Sequence, residues 1–369
     1  MKKLINQVET VLDEQLLGLG EAHPELRVHQ DPLFVTRADG PVAGKVAILS
    51  GGGSGHEPMH CGFVGEGMLD GACPGEIFTS PTPDKMYECG LAIDGGAGVL
   101  LLIKNYTGDV LNFETATELL HDGGIPVATV LVDDDVAVKD SLFTAGRRGV
   151  ANTVLMEKLL GAAAQRGDTL DDLVTLGHRL NNQGHSIGIA LGACTVPAAG
   201  KPSFTLAENQ MEFGVGIHGE PGIERRPFTT LNHAVDDMFH TLIEHGNYQR
   251  TLRVWQRAQG EWRDDVQVKK PLMRGDRVIA LVNNLGADAT VRAVRRLPPS
   301  GRALCGGGNH HRTQPDRRIL HFAGHAGRFH HAVESGRSIV GAVGCAGENP
   351  CATLGLLRRT DDADKTTGG

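Results

Sequence analysis

Two histidines, a lysine and an aspartate stand beside glycines or at the end of apolar runs in this chain of 369 residues. These are residue types that move protons and hold oxygen-rich ligands. His56 closes the run Ser50-Gly-Gly-Gly-Ser-Gly-His-Glu-Pro58. Glycines there let the backbone turn sharply and bring N–H groups against a small polar ligand, and an imidazole exchanges protons near neutral pH. Lys104 and Asp109 bound the stretch Lys104-Asn-Tyr-Thr-Gly-Asp109, and His218 lies in Gly214-Val-Gly-Ile-His-Gly-Glu-Pro-Gly222. Taken singly, each has a structural explanation, since a turn histidine usually caps something and charges after a strand usually face solvent. Together they suggest a small polar substrate in a cleft. One imidazole would accept a proton, Asp109 would orient a proton or hydroxyl, and Lys104 would donate to an oxygen. Spacing alone leaves the reaction type open.

The glycine run is not a known nucleotide loop. It lacks the Gly-Lys-Ser/Thr ending of a Walker loop and shows no clear Gly-x-Gly-x-x-Gly with a partner acid about 20 residues on. The formal charge of −8 argues against nucleic acid or an anionic membrane as main partner. No apolar run approaches the roughly 18 residues of a membrane span, and the N-terminus lacks the apolar core of a signal peptide, so a cytoplasmic protein is expected. The seven cysteines form no CxxC pair, which favours reduced thiols over disulfides or a zinc site, and no metal is expected.

Positioning these residues needs strands that alternate with helices. Apolar runs at 46–49, 98–103 and 126–132 read as strands, and helical patterns are predicted over 4–17, 110–121 and 152–165. Strands of this continuous apolar kind are buried on both faces of a mostly parallel sheet, and ligand sites sit at their carboxyl ends. Three of them end in polar residues: Ser50 to His56, Lys104 to Asp109, and Asp133-Asp134-Asp135. A second region has a strand at 187–192, a short strand delivering His218, a helix near 234–247 and a strand at 277–282. The expectation is an α/β protein of two domains with mostly parallel or mixed sheets, 1–183 and 184–288, followed by an aberrant tail, 289–369.

Five motifs occur in one order: Ser50 to Pro58, Pro74-Gly-Glu-Ile-Phe-Thr-Ser-Pro-Thr-Pro83, Lys104 to Asp109, Ala145-Gly-Arg-Arg-Gly-Val-Ala-Asn-Thr153, and Gly214 to Gly222. Over about residues 1–288 the chain resembles the substrate-binding K subunits of the bacterial dihydroxyacetone kinases. The resemblance implies that His218 binds dihydroxyacetone covalently, an imidazole nitrogen adding to the ketone carbon to give a hemiaminal. It implies that His56 takes the proton from the hydroxyl to be phosphorylated, that Asp109 assists and orients that hydroxyl, and that Lys104 with the backbone of Gly53, Ser54 and Gly55 holds the other oxygens. Glycerol offers no carbonyl and would be rejected by reactivity.

The same resemblance implies the partners. In the phosphotransferase-dependent members, ADP/ATP with magnesium sits on a separate L subunit and is recharged by a phosphohistidine of an M subunit; the family forms homodimers. ATP-dependent glycerone kinases carry a nucleotide-binding helical domain after the K region, and the residues after 290 show too little helical pattern for one. The alternatives are a fragment of such an ATP-dependent enzyme, a K-type transcription coactivator, and a ketone-binding module without turnover. Both histidines being present weighs against the coactivator.

Composition changes after about residue 288. From Val291 onward there are eleven arginines and one lysine, against fourteen and ten before, with six of the seventeen histidines and no tyrosine. Gly306-Gly-Gly-Asn-His-His311 and His330-His331 match no metal-ligand register. The family's usual continuing segments are missing, and Arg312-Thr-Gln-Pro-Asp-Arg-Arg318 is what such a segment's codons spell one register out. The expectation is a shifted translation without evolved structure from about 289.

Overall fold

A computed structural model describes residues 3–139, 145–273, 276 and 278–284, together with the backbone course of 340–344 and 351–358. The first sheet has six strands: β1 (Leu26–Gln30), β2 (Leu33–Arg37), β3 (Ala47–Ser54), β4 (Gly71–Ile77), β5 (Val99–Lys104) and β6 (Val127–Val132). Their order is β1-β2-β4-β3-β5-β6. Pairing is parallel from β4 through β3 and β5 to β6, and antiparallel where β2 meets β1 and β4. The three predicted apolar runs are therefore adjacent strands at one side of a mixed sheet.

Five helices cover this sheet: α1 (Val11–Ala22), α2 (Pro83–Ile93), α3 (Thr107–Asp122), α4 (Asn152–Gln165) and α5 (Leu170–Gln183). Successive strand side chains point to opposite faces, and that alternation splits the core. Ile48, Leu100, Leu102 and Val130 join Leu16 of α1, Val154 and Leu160 of α4 and Leu173 of α5. Ala47, Leu49, Leu101 and Ile103 join Met86 and Cys89 of α2 and Phe113 and Leu120 of α3 on the other face. The first helix begins at Val11, later than its apolar spacing predicts. Asp13 and Glu14 fill its first turn, where carboxylates favour the positive end of a helix dipole.

The second sheet contains β7 (Gly184–Ala190), β8 (Gln210–Phe213) and β9 (Glu224–Pro227), and α6 (Leu231–Glu244) packs on it. Ala234, Met238 and Leu242, spaced four apart on one helix face, meet Ile187, Ile189, Met211 and Phe213. Next come β10 (Tyr248–Gln256) and β11 (Glu261–Lys269), an antiparallel ribbon of its own. The last strands are β12 (Val278–Asn284), β13 (Val340–Gly344) and β14 (Cys351–Arg358), and the sheet order is β13-β12-β14-β7-β8-β9. Thus two backbone segments of the arginine-rich tail are strands here, with β14 between β12 and β7; the rest of the tail expectation lies outside the described residues.

The ribbon follows residue 183 in the chain, yet it lies on the first sheet's layers. Trp255 enters the core with Phe113 and Leu120, Arg253 pairs with Glu114 at 2.5 Å, and Trp262 donates to Glu118 at 3.0 Å. Arg250 makes two hydrogen bonds to Asp133, at 2.7 and 3.2 Å. A chain that crosses back this way ties the two sheets together.

Candidate active site

The glycine run is largely strand. β3 includes Ser50 to Ser54, fully buried, and its glycines lie against β4 and the turn after it. A Cβ on Gly51 would sit 2.5 Å from the carbonyl oxygen of Cys73, and one on Gly53 would sit 2.5 Å from the amide nitrogen of Thr79. At Gly52 the obstacle is different: a Cβ would overlap the Lys104 ammonium and lie 3.4 Å from Nε2 of His60. The turn proper is at Gly55, whose φ of +97° favours glycine. Gly55 donates its N–H to Glu57, which also accepts from Gln15 of α1 at 2.6 Å. Glu57 thus anchors the turn.

This turn puts His56 beside His218 across the two sheets, with ring centroids 4.9 Å apart in an edge arrangement. Phe78 stacks on His56 at 4.8 Å and meets His218 at 5.3 Å, while the Tyr106 ring lies 4.6 Å from His218. Phe78 holds a φ of +56°, unusual for a residue with a side chain, and directly follows the end of β4, where its N–H donates to the Ser54 carbonyl at 2.9 Å. Sequence reasoning gave neither aromatic residue a role. Both lie inside quoted motifs, Phe78 in Pro74 to Pro83 and Tyr106 in Lys104 to Asp109, but an aromatic side chain there reads as core packing.

His56 is buried, and that burial, followed by the charges of His218 and Lys104, holds its pKa well below the ordinary 6.5. It is therefore a neutral imidazole at pH 7, the state a proton acceptor needs. The His218 side chain is 23% exposed and so reachable. The main-chain N–H of His218 donates to Glu220 at 2.8 Å, and its Nδ1 lies 3.9 Å from the Glu220 carboxylate. Burial alone would raise the Glu220 pKa; the His218 hydrogen bond and charge and the Arg148 guanidinium outweigh it and hold the group at about 2. Arg148 in turn pairs with Asp135 at 2.5 Å and donates to the Gly214 carbonyl at 2.7 Å.

Lys104 and Asp109 bracket the β5-to-α3 turn. Lys104 is wholly buried, its ammonium within 3.2 Å of the Gly51 carbonyl and 2.6 Å of His60 Nε2. Burial pulls its pKa below the ordinary lysine value, while Asp109 and Glu157 act the other way. Asp109, in the first turn of α3, is 3% exposed, and its Oδ1 has no hydrogen-bond partner among the described residues. A buried carboxylate oxygen left so is suited to accept from a ligand hydroxyl.

The third strand end contributes less directly. Asp133 is taken by Arg250 and Lys269, and Asp134 accepts from the amides of Val150 and Asn152 and from the Ser186 hydroxyl. Only Asp135 reaches the histidines, through Arg148 and Glu220. Among the described residues no group of three or more His, Cys, Asp or Glu could hold a metal ion, and no helix is long and apolar enough to cross a membrane.

Comparison with known proteins places this chain among relatives. Residues 17–294 match the Dak1 domain family. The chain is 75% identical over 287 residues to the dihydroxyacetone-binding subunit DhaK of the PEP-dependent dihydroxyacetone kinase of Escherichia coli, covering 78% of this chain and 81% of that one. It is 38% identical over 319 residues to human triokinase/FMN cyclase, covering 83% of this chain and 52% of that protein. The fold is shared with the dihydroxyacetone kinase from C. freundii in complex with AMP-PNP and Mg2+, at TM-score 0.74 and 26% identity over 98% of this chain and 58% of that one. It is also shared with the dihydroxyacetone kinase operon co-activator DhaQ, at TM-score 0.71 and 26% identity, covering 94% and 92%.

Proposed function

The chain belongs to the Dak1-domain family of dihydroxyacetone kinase subunits, and from that premise we propose that it binds dihydroxyacetone covalently and presents it for phosphorylation. The observation that carries this reading is the meeting of His56 and His218, 4.9 Å apart, beside the buried Asp109. The His218 imidazole nitrogen attacks the ketone carbon; a C–N bond forms, the carbonyl opens, and its oxygen takes a proton as the ring loses one. No atom leaves, so the product is a hemiaminal. Ionised Glu220 stabilises the ring as its charge changes. Lys104 and the backbone of Gly53 to Gly55 hold the remaining oxygens. His56 takes the proton of the hydroxyl that is to be phosphorylated, and Asp109 accepts from and orients that hydroxyl.

The phosphoryl group comes from a nucleotide on a separate L subunit, served by an M subunit, and the K chain works as a homodimer. This phosphotransferase-dependent reading is supported by 75% identity to the E. coli PEP-dependent subunit, against 38% to the human triokinase and 26% to the C. freundii kinase and to the co-activator. Its test is transfer. With L subunit, magnesium, ADP and phosphorylated M subunit present, the full chain should yield dihydroxyacetone phosphate. A chain that forms the adduct but gives no phosphorylated product in that mixture would be a ketone-binding or coactivator protein instead.

We also read residues from about 289 onward as translated out of frame. The family match ends at 294, close to where arginine displaces lysine. Strand pairing uses backbone groups, so the open edge of a sheet missing its own strands accepts many segments, and the placement of β14 between β12 and β7 is compatible with that. Independent sequencing of the codons for 285–295 is expected to reveal a missing or extra base; a continuous frame in every read overturns the reading.

A further inference from the structure

Beneath the glycine strand lies a buried chain of three ionisable groups that no part of the mechanism above uses beyond its first member. Lys104 Nζ is 2.6 Å from His60 Nε2, and His60 Nδ1 is 2.5 Å from Glu157 Oε1. Lys104 and Glu157 are fully buried and His60 is 4% exposed. The three come from separate places: β5, the turn after β3, and the middle of α4. The absence of a side chain at Gly52 is what leaves room for the ammonium and the imidazole to meet.

The hydrogen-bond directions follow from chemistry. An ammonium only donates, so His60 Nε2 must accept, and a neutral His60 then carries its proton on Nδ1 and donates it to Glu157. Such carboxylate-to-imidazole pairs fix a ring's tautomer and orientation. A lone polar side chain would not require this arrangement; three partners in sequence do.

We infer that His60 and Glu157 are positioning residues for Lys104: Glu157 fixes the His60 tautomer, and His60 together with the Gly51 carbonyl pins the ammonium where it can donate to an oxygen of the bound ketone. This rests on the reading of Lys104 as a ketone-holding group. The titratable groups around the ammonium are His60, Glu157 of α4, Asp109 of α3 and His56, with His218 beyond His56. Burial pushes the Glu157 carboxyl up to about 8, with Lys104 opposing. Above that value Glu157 is ionised, and its charge favours the charged form of Lys104 against the burial that lowers the lysine.

The test follows dihydroxyacetone adduct on the full chain by intact mass as pH rises, in the native protein, Glu157→Gln, His60→Asn and Lys104→Met. Glu157→Gln keeps shape and removes the negative charge, so its adduct should be lost about one pH unit earlier than in the native protein, in line with the effect of a nearby opposite charge. His60→Asn is too short to span both partners and should weaken the adduct, so it carries the test if Glu157→Gln does not fold. A folded Glu157→Gln that keeps the native alkaline limb, or a folded His60→Asn with native ketone affinity, overturns the inference while leaving Lys104 in its role. Lys104→Met with a native adduct profile overturns the role of Lys104 itself, and the inference with it.

Discussion

His218→Ala should gain no mass from dihydroxyacetone, whereas the native chain should gain one whole ketone with no water lost. The distinction in mass matters because it separates two covalent chemistries. Addition of a ring nitrogen to a carbonyl conserves every atom, while a lysine amine that condensed to a Schiff base would expel water. Lys104 is available for comparison, being buried and below its ordinary pKa, so the absence of dehydration tests which residue reacts. The alanine variant keeps Lys104, Asp109 and the glycine backbone and can still hold the ketone by hydrogen bonds. Those bonds are shared by glycerol, so only the covalent bond makes the site choose a carbonyl. An adduct of equal mass on His218→Ala, or none on a folded native chain, would sink the assignment.

That His56, Lys104 and Asp109 should share a site was legible because they follow apolar strands whose polar ends converge at one end of a sheet, whereas His218 comes from the second sheet and only its glycine-rich turn and motif pointed to the same site. The supporting residues were hidden for physical reasons. Glu157 and Lys158, to which sequence reasoning gave no role, sit together in the middle of α4, and both are buried. Lys158 donates to the Gly67 carbonyl at 3.2 Å, and Glu157 reaches His60, 97 residues away in the chain. Periodicity cannot show this, since a buried charge announces itself only through its partner. Arg148 and Glu220 were written inside motifs, but their pairing at 3.5 Å joins segments 72 residues apart.

The glycine run shows a subtler gap between pattern and place. Its composition points to a loop cradling a ligand, and part of it does turn at Gly55. Gly51 and Gly53 instead allow β3 to lie against Cys73 and Thr79, and Gly52 makes space for Lys104. A glycine's permissiveness and its small size leave the same mark in a sequence. Likewise, the ribbon β10–β11 was not among the predicted strands: β10 buries Tyr248, Arg250 and Leu252 in alternation with exposed neighbours, and a buried arginine interrupts the apolar alternation that would mark a strand in the sequence.

His56→Ala should separate binding from transfer. The adduct forms on His218, so ketone uptake by intact mass should persist. Phosphoryl transfer with L subunit and phosphorylated M subunit should fall by about 10²–10⁴-fold, the usual weight of a positioned general base, equivalent to about 3–5 kcal/mol of barrier. The pH dependence carries the sign. A base works only when unprotonated, and burial with the charges of His218 and Lys104 lowers the His56 pKa well below 6.5. Transfer by the native protein should therefore hold as pH falls through 6.5 and decline only further into acid, and the acid limb should be absent from the residual rate of His56→Ala. An unchanged transfer rate in the variant removes His56 as the base. Loss of the adduct together with transfer would mean instead that the imidazole shapes the ketone site, as its 4.9 Å contact with His218 allows. Because the variant leaves Asp109, with its open Oδ1, in place, a residual rate that depends on the Asp109 carboxylate would identify it as the group that still orients the hydroxyl when the base is gone.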